Sequence, residues 1–230
     1  MKLNLGCGRL AFPLDRATVE SIPYYENHLY PLPDTVFEPG WVNIDHHHLD
    51  GVNEVIDLFK FPFVRSTNGN PFNDNTIDEF FVSHLVEHIP HRVEVASKIP
   101  FNWQKRYTEM IEMMDGFFVF FAEIYRLAKP GALVYIRCPF ANSVPALADP
   151  SHTRYIVPGT FGYLVDHNPE APFDYKLPMN FELASNVSLR WTPQWAGRVK
   201  TLADDEIHTI PFRYNDAVDE LRITLRAVKE

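Results

Sequence analysis

The chain has 230 residues, of which 46% are hydrophobic and 22% are charged. That length can bury a sizeable core, and the composition excludes wholesale disorder. The formal net charge of −9 argues against binding to duplex nucleic acid, because such binding needs a basic face. The 19 prolines outnumber the 10 glycines, and since proline is excluded from helix interiors and central strands, we expect long ordered loops.

Several features indicate a cytoplasmic protein. Two cysteines, Cys7 and Cys138, are too few for a disulfide framework, which favours reduced thiols. The first residues lack a signal-peptide pattern, because polar side chains interrupt the apolar stretch early. The strongest apolar run, residues 117–122, is far too short to span a membrane.

Short apolar runs and regular spacing predict the elements in chain order. Strands are predicted at residues 2–5, 41–44, 54–56, 79–82 and 133–136. Apolar residues at steps of three and four from Trp103 to Ala128 predict one amphipathic helix, which Lys129-Pro130-Gly131 ends. A short helix is predicted around 160–164, and strict alternation over 221–228 predicts an antiparallel edge strand. Strands separated by crossovers predict one doubly wound α/β domain over residues 1–230.

Residues that could contact a ligand lie at the ends of the first four predicted strands. Gly6 and Gly8 follow the first strand, Asp45 ends the second, and Asp57 follows the third. Ser83-His84 follows the fourth. Ligands of open α/β sheets bind beyond the carboxyl ends of the strands, where glycine admits close approach and a carboxylate can bind a ribose diol. An acidic residue at a strand end often only forms a turn, so no single residue here identifies a binding site. The combination of all of them, in this order, predicts one.

The segments that carry a family resemblance lie in the same order. They are Leu3-Asn4-Leu5-Gly6-Cys7-Gly8, Asn43-Ile44-Asp45, Ile56-Asp57-Leu58, Ser83-His84-Leu85-Val86-Glu87-His88-Ile89, Ile124-Tyr125-Arg126-Leu127-Ala128-Lys129-Pro130-Gly131 and Asp149-Pro150-Ser151-His152-Thr153-Arg154-Tyr155. As a set, over about residues 2–138 and on through residues 149–155, the sequence resembles the class I S-adenosylmethionine-dependent methyltransferases, in their small-molecule subgroup.

The resemblance implies a Rossmann-like, mostly parallel seven-stranded sheet with an antiparallel C-terminal strand. It implies S-adenosylmethionine as cofactor, S-adenosylhomocysteine as product, and a small or medium acceptor with an oxygen or nitrogen nucleophile. The residues that would bind the cofactor are Gly6, Cys7, Gly8, Asp45, His46, Asp57, Leu58, Ser83 and His84. The chain departs from the family in the long passage from Gly8 to Asp45 and in Ala132, where a second glycine is common.

The loop after the fifth strand supplies the predicted acceptor site. His152 could accept a proton from an acceptor, since its ordinary pKa lies near neutrality, and His84 is the second candidate base. Arg154 and Tyr155 are predicted to bind the acceptor, although Arg154 could instead pair with Asp149 to hold the loop. The proline-rich insertions, at about 11–40 and 139–178, are predicted to flank this active site.

Three other interpretations of these residues are weaker. Gly6-x-Gly8-x-x-Ala11 fits a dinucleotide fingerprint of an NAD-type oxidoreductase, but Pro13 would break the helix that should follow. The pattern from His84 to His88 matches the H-x-x-E-H motif of zinc proteases, which needs a continuous helix, and Pro90 argues against one. His46-His47-His48 are adjacent, so we expect a solvated loop, and no metal site is predicted. A methyltransferase-like protein that binds the cofactor without catalysis also stays possible.

Overall fold

The computed structural model describes residues 1–8, 11–15, 32–96, 99, 101–165 and 177–229. Within these ranges the strands are β1 (Lys2–Leu5), β2 (Trp41–Asp45), β3 (Glu54–Val55), β4 (Lys60–Phe61), β5 (Ile77–Ser83), β6 (Glu94–Val95), β7 (Ala128–Pro139), β8 (Phe181–Leu183), β9 (Ser188–Trp191) and β10 (Val218–Ala227). The α-helices are α1 (Phe101–Met113), α2 (Gly116–Leu127), α3 (Val144–Ala148), α4 (Pro158–Gly162), α5 (Pro193–Ala196) and α6 (Asp204–Arg213). Short 3-10 turns lie at Asp34–Phe37, Val86–His88 and Val199–Thr201.

One large sheet organises the fold. Its strand order is β3-β2-β1-β5-β7-β10-β8, and β9 also pairs with β10. Neighbouring strands from β3 to β7 are parallel, whereas β10 is antiparallel to β7, β8 and β9. The predicted α/β class, with a mostly parallel sheet and an antiparallel C-terminal strand, is therefore confirmed. The sheet has eight strands where seven were predicted, because β8 and β9 divide the outer side of β10 between them.

The prediction that residues 221–228 form an edge strand is wrong. β10 pairs with β7 on one side and with β8 and β9 on the other. Its alternation arises because Leu221, Ile223 and Leu225 are buried in the core on one face, and alternation reports the two faces of a strand rather than its place in the sheet.

The predicted single helix from Trp103 to Ala128 is two helices, α1 and α2. The break lies at Asp115, whose side chain accepts a hydrogen bond from the Phe117 backbone N–H at 2.9 Å and so caps the start of α2. Lys129-Pro130-Gly131 follows the end of α2 as predicted, but these residues already belong to β7. The pairing of β5 with β7 shifts register between Ile77 and Glu79, which accommodates this irregular start.

Two hydrophobic clusters cover the two faces of the sheet. The large cluster joins alternate side chains of the central strands, such as Leu3, Phe80 and Val134, to apolar residues of α2. The smaller cluster on the opposite face consists of Phe12, Leu32, Val36, Trp41 and Phe81. The described parts of the first proline-rich insertion therefore contribute to packing a sheet face, and residues 16–31 of that insertion lie outside the described residues.

The strand order contains a reversal that marks a crevice. From β1 the chain continues outward to β2 and β3, and it then crosses to β5 and β7 on the other side of β1. Ligands of doubly wound sheets bind beyond the carboxyl ends of the strands at such a reversal point. The crevice lies here between the ends of β1 and β5. Among the described residues, no helix has the length and apolar character needed to cross a membrane.

Candidate functional site

The glycine loop after β1 lies at this crevice. Gly6 and Gly8 both have left-handed backbone conformations, with φ of 65° and 52°. A Cβ added at Gly6 would lie 3.1 Å from Leu85 Cδ1 at the end of β5, whereas one added at Gly8 would meet no described atom within 4 Å. The loop thus needs glycine for its left-handed backbone conformation. No described atom fills the space beside Gly8.

Asp45 joins the carboxyl ends of β1 and β2. Its buried carboxylate accepts hydrogen bonds from the Gly8 N–H at 2.8 Å and from the His47 N–H at 2.9 Å. Each bond uses one lone pair on a different oxygen, so each oxygen can accept a further hydrogen bond. Cys7 lies between the glycines, and burial, with the nearby Asp45 carboxylate, raises the pKa of its thiol to about 11. Cys7 is therefore a packed thiol at neutral pH.

The residues after β2 and β3 differ in exposure. His46 and His47 are exposed, their ring centroids are 3.7 Å apart, and their Nδ1 atoms lie 3.4 Å and 3.7 Å from Asp45 Oδ1. Asp57 begins a turn in which its carboxylate accepts a bond from the Phe59 N–H at 3.0 Å. The Leu58 side chain is buried in the core, so its backbone alone could contact a ligand.

A strongly perturbed histidine lies at the end of β5. His84 follows Ser83 with φ of 51°. Its Nε2 lies 3.0 Å from Glu220 Oε2, and its Nδ1 lies 3.4 Å from Glu87 Oε1. Burial by itself would lower the pKa of His84, but the hydrogen bond to Glu220 and the negative charges of Glu87 and Glu220 raise it to about 9. These contacts favour the protonated form of His84 at neutral pH.

Glu220 on β10 completes this ionic group. Its carboxylate accepts hydrogen bonds from Arg137 Nη2 at 2.9 Å and from Arg222 Nε at 2.6 Å. Burial would raise the pKa of Glu220, but the hydrogen bond with His84 and the charges of Arg137 and Arg222 lower it to about 2. Sequence reasoning missed Glu220, because it lies on the polar side of the alternating pattern of β10 and only the sheet buries it.

The loop after β7 packs against the loop after β5. The backbone carbonyl of Glu87 accepts bonds from the Thr153 N–H at 2.8 Å and from the Arg154 N–H at 3.3 Å. The described part of the second proline-rich insertion thus lies beside the crevice, while residues 166–176 lie outside the described residues. Val86–His88 is a 3-10 turn, and the left-handed His84 precedes it. His84 and His88 do not share a continuous helix, so the zinc-protease interpretation does not fit.

The two predicted acceptor residues have different surroundings. Arg154 does not form the alternative pair with Asp149. Its Nη2 lies 2.7 Å from Asp115 Oδ1, and its Nε donates to the Ile89 carbonyl at 2.7 Å. These bonds connect the loop to the start of α2. Tyr155 is 62% exposed, and its side chain is accessible to an acceptor.

His152 lies against His88 and the carboxylate of Glu87. The rings of His152 and His88 have centroids 4.6 Å apart. His152 is largely buried, and its Nδ1 lies 2.9 Å from the Ala146 carbonyl oxygen. Glu87 is 1% exposed, and neither of its carboxylate oxygens has a hydrogen-bond partner among the described residues. The sequence offered no signal that this carboxylate is buried with an oxygen within 4.8 Å of a ring nitrogen of His152.

Comparisons with known proteins find similar solved structures at low sequence identity. No family model matches the chain, and no curated protein is significantly similar to it. Solved structures that are similar include several S-adenosylmethionine-dependent methyltransferases. One from Archaeoglobus fulgidus is 15% identical with a TM-score of 0.47, and the alignment covers 98% of this chain and 85% of that one.

Two further structures show the range of the similarity. The Burkholderia thailandensis 1,6-didemethyltoxoflavin-N1-methyltransferase, with bound S-adenosylhomocysteine, is 8% identical with a TM-score of 0.47 over 99% of this chain and 71% of that one. The cyclase SpnF is 12% identical with a TM-score of 0.46 over 100% of this chain and 74% of that one. Each of these three TM-scores is below 0.5.

Proposed function

We propose that this chain is an S-adenosylmethionine-dependent methyltransferase that acts on a hydroxyl or amino group of a small or medium acceptor. The observation that supports it is the convergence of Gly6, Gly8, Asp45 and His84 at the reversal point of the sheet. These residues come from the ends of three parallel strands that are separate in sequence and adjacent in space. A nucleoside-type ligand beyond the strand ends would contact all of them.

The residues present fit this cofactor. Asp45 has an unused acceptor position on each oxygen, which suits the two hydroxyls of a ribose. The open side of Gly8 admits a ligand close to the backbone. Gly6, Cys7 and Gly8 would line the methionine end together with Ser83 and His84, and His46 would lie at the edge of the pocket. Asp57 and the Leu58 backbone would contact the adenine.

When bound, S-adenosylmethionine would supply a methyl group on a positively charged sulfur, a good leaving group that leaves as S-adenosylhomocysteine. Catalysis then needs mainly an acceptor held in line and the exclusion of water. His84 has its ring nitrogens on Glu87 and Glu220 and would help to shape the methyl-transfer position. His152 is the residue we assign to acceptor activation, and Arg154 and Tyr155 would border the acceptor.

The proposal is tested first by calorimetric titration of the purified chain with S-adenosylhomocysteine, S-adenosylmethionine and NAD⁺. We expect the first two to bind and NAD⁺ not to bind. Asp45→Asn should weaken binding about tenfold or more, since a lost hydrogen bond to a charged group costs about 1.5–3 kcal/mol. Asp50→Asn, at an exposed position of the same loop, is the matched control and should bind normally. Preferential binding of NAD⁺ would instead support an oxidoreductase.

Catalysis is tested separately by following S-adenosylhomocysteine formation over a panel of hydroxyl and amine acceptors. His152→Ala should lower turnover while leaving the affinity for S-adenosylhomocysteine unchanged. Unchanged turnover would remove His152 from the mechanism. Cofactor binding without product from any acceptor class would favour the non-catalytic alternative.

A further inference from the structure

A second group of residues meets beside the proposed methyl-transfer position. Glu87, His88 and His152 each offer one potential ligand atom, and these three atoms all lie within 4.8 Å of one another. Glu87 and His88 belong to the turn after β5, and His152 belongs to the loop after β7. The contacts between the Glu87 carbonyl and the backbone of Thr153 and Arg154 fix the two loops together. The group is therefore positioned by the fold rather than by a flexible surface.

The Glu87 carboxylate is poorly compensated where it lies. Glu87 is 1% exposed, and both of its oxygens lack a hydrogen-bond partner among the described residues. The nearest cation, His84, has its Nδ1 3.4 Å from Oε1 and places its other nitrogen on Glu220. Burying a carboxylate without hydrogen bonds is costly unless the charge is paired or coordinates a metal ion. His84 thus serves two carboxylates at once, and a metal ion would give Glu87 a cation of its own.

Outer contacts fix which nitrogen each histidine can offer. His152 Nδ1 lies 2.9 Å from the Ala146 carbonyl, which can only accept, so this nitrogen carries the proton. His88 Nδ1 lies 3.1 Å from Ser151 Oγ, whose hydroxyl donates to Asp149 Oδ1 at 2.6 Å. The Ser151 oxygen therefore accepts from His88. A neutral ring held through Nδ1 in this way has its lone pair on Nε2, which is the arrangement that second-shell contacts impose on metal-binding histidines.

We propose that Glu87, His88 and His152 bind one divalent transition-metal ion. Two imidazole nitrogens and one carboxylate are a donor set that suits Zn²⁺, Co²⁺ or Fe²⁺ better than Mg²⁺ or Ca²⁺, which prefer oxygen ligands. Three protein ligands leave at least one coordination position open to water or to an acceptor. Asp149 Oδ2 lies 3.9 Å from His152 Nε2, too far for a hydrogen bond that would occupy that nitrogen.

The role of this ion in the reaction rests on the proposed function. An acceptor hydroxyl bound to the ion would lose its proton to water more easily, because a divalent cation lowers the pKa of a bound hydroxyl. The oxygen electron pair would then form the new C–O bond as the S–C bond breaks and S-adenosylhomocysteine leaves. His152 would act as a metal ligand and not as a free base. The acceptor class is accordingly a molecule with a hydroxyl that can bind a metal ion.

The other histidine-carboxylate group is a poorer site. Asp45, His46 and His47 also have potential ligand atoms within 4.8 Å of one another. However, the side chains of His46 and His47 are 65% and 67% exposed, and the Asp45 carboxylate, unlike that of Glu87, is already stabilised by two backbone hydrogen bonds. His47 of this group therefore provides the control variant in the metal-binding test.

The test is calorimetric titration of the full chain, stripped of metal by a chelator, with Zn²⁺, alongside visible absorption with Co²⁺. We expect one ion bound per chain. Glu87→Gln, His88→Gln and His152→Asn should each abolish this stoichiometric binding, whereas His47→Ala should leave it intact. Ser151→Ala should weaken Zn²⁺ binding about 10–100-fold, as loss of a second-shell contact does.

Two controls keep the outcomes separate. Thermal unfolding of each metal-free variant shows whether it still folds, and binding of S-adenosylhomocysteine without metal tests the cofactor site independently. Zn²⁺ binding that persists in the three ligand variants, or that is lost in His47→Ala, would overturn the proposed site. Metal binding without any methyl transfer would leave the site standing and reject its role in the reaction.

Discussion

Gly116 shows how one residue can decide where an element begins. A Cβ added at this position would lie 2.1 Å from the Pro90 carbonyl oxygen and 2.7 Å from Val93 Cγ1. The start of α2 therefore touches the backbone of the loop after β5, which carries Glu87 and His88. The Asp115 cap beside it also pairs with Arg154. This contact fixes the helix against the loop on which both proposed sites depend.

Gly116→Ala should destabilise the protein. The added methyl group cannot fit without displacing the Pro90 backbone, and overpacking of this kind costs about 1–3 kcal/mol or more. Urea unfolding followed by circular dichroism measures the change. Gly159→Ala, where no described atom lies within 4 Å of the added Cβ, is the control and should change stability little. Equal stability of the two variants would contradict the close contact.

At the scale of elements, a buried ion pair connects α2 to its surroundings. Arg126 Nη2 lies 2.7 Å from Glu123 Oε1, and Glu123 Oε1 accepts a bond from the Phe63 N–H at 2.8 Å. Tyr107 of α1 donates its hydroxyl hydrogen to Glu123. The pKa of Arg126 is raised: burial would lower it, but the hydrogen bond to Glu123 and the charge of that carboxylate outweigh burial. The two helices are thus joined through one carboxylate.

Glu123→Ala should lower the free energy of unfolding by about 3–5 kcal/mol, because it leaves the buried Arg126 without its main partner. Glu109→Ala, which removes an exposed partner 3.9 Å from Lys105 on α1, should cost less than about 1 kcal/mol. Both are measured by urea unfolding at neutral pH. Comparable losses for the two variants would mean that Glu123 does not hold the helices together.

At the scale of the whole molecule, Glu220 connects three strands. It bonds Arg137 of β7, Arg222 of its own strand β10, and His84 at the end of β5. Its pKa is about 2 in the folded protein against an ordinary value of 4.5. A carboxyl group with a lowered folded-state pKa stabilises the fold fully above its unfolded pKa. That contribution is lost as the pH falls from about 4.5 towards 2.

Glu220→Gln should therefore be less stable than the unaltered protein at pH 7, with a smaller difference at pH 3. The reason is that acid protonates this carboxyl group first in the unfolded chain, which reduces the stability that the ionised group contributes to the folded protein. Thermal unfolding between pH 3 and pH 7 gives the comparison. Glu182→Gln, on a half-exposed carboxylate of β8 that pairs with Arg226 of β10, should follow the unaltered protein. A constant difference between Glu220→Gln and the unaltered protein across this range would contradict the assignment.

The sequence by itself determined the parallel strands, their ends and the glycines and carboxylate that follow them. These features are local: an apolar run that meets Gly6 or Asp45 predicts both a buried strand and the residue at its carboxyl end. The rule that ligands bind beyond those ends then places the residues together. The interruption of the long helix at Asp115 was missed, because the apolar residues keep their steps of three and four across it, through Met114 and Phe118.

Only the tertiary structure decided which polar groups are buried together. Glu87 and His88 are far from His152 in the chain, and no periodicity links them. Arg154 pairs with Asp115 instead of nearby Asp149 because the loop after β7 folds back onto the start of α2. A charged side chain is buried by the segments that pack over it. Here those segments are loops, and no hydrophobic pattern in the sequence predicts the path of a loop.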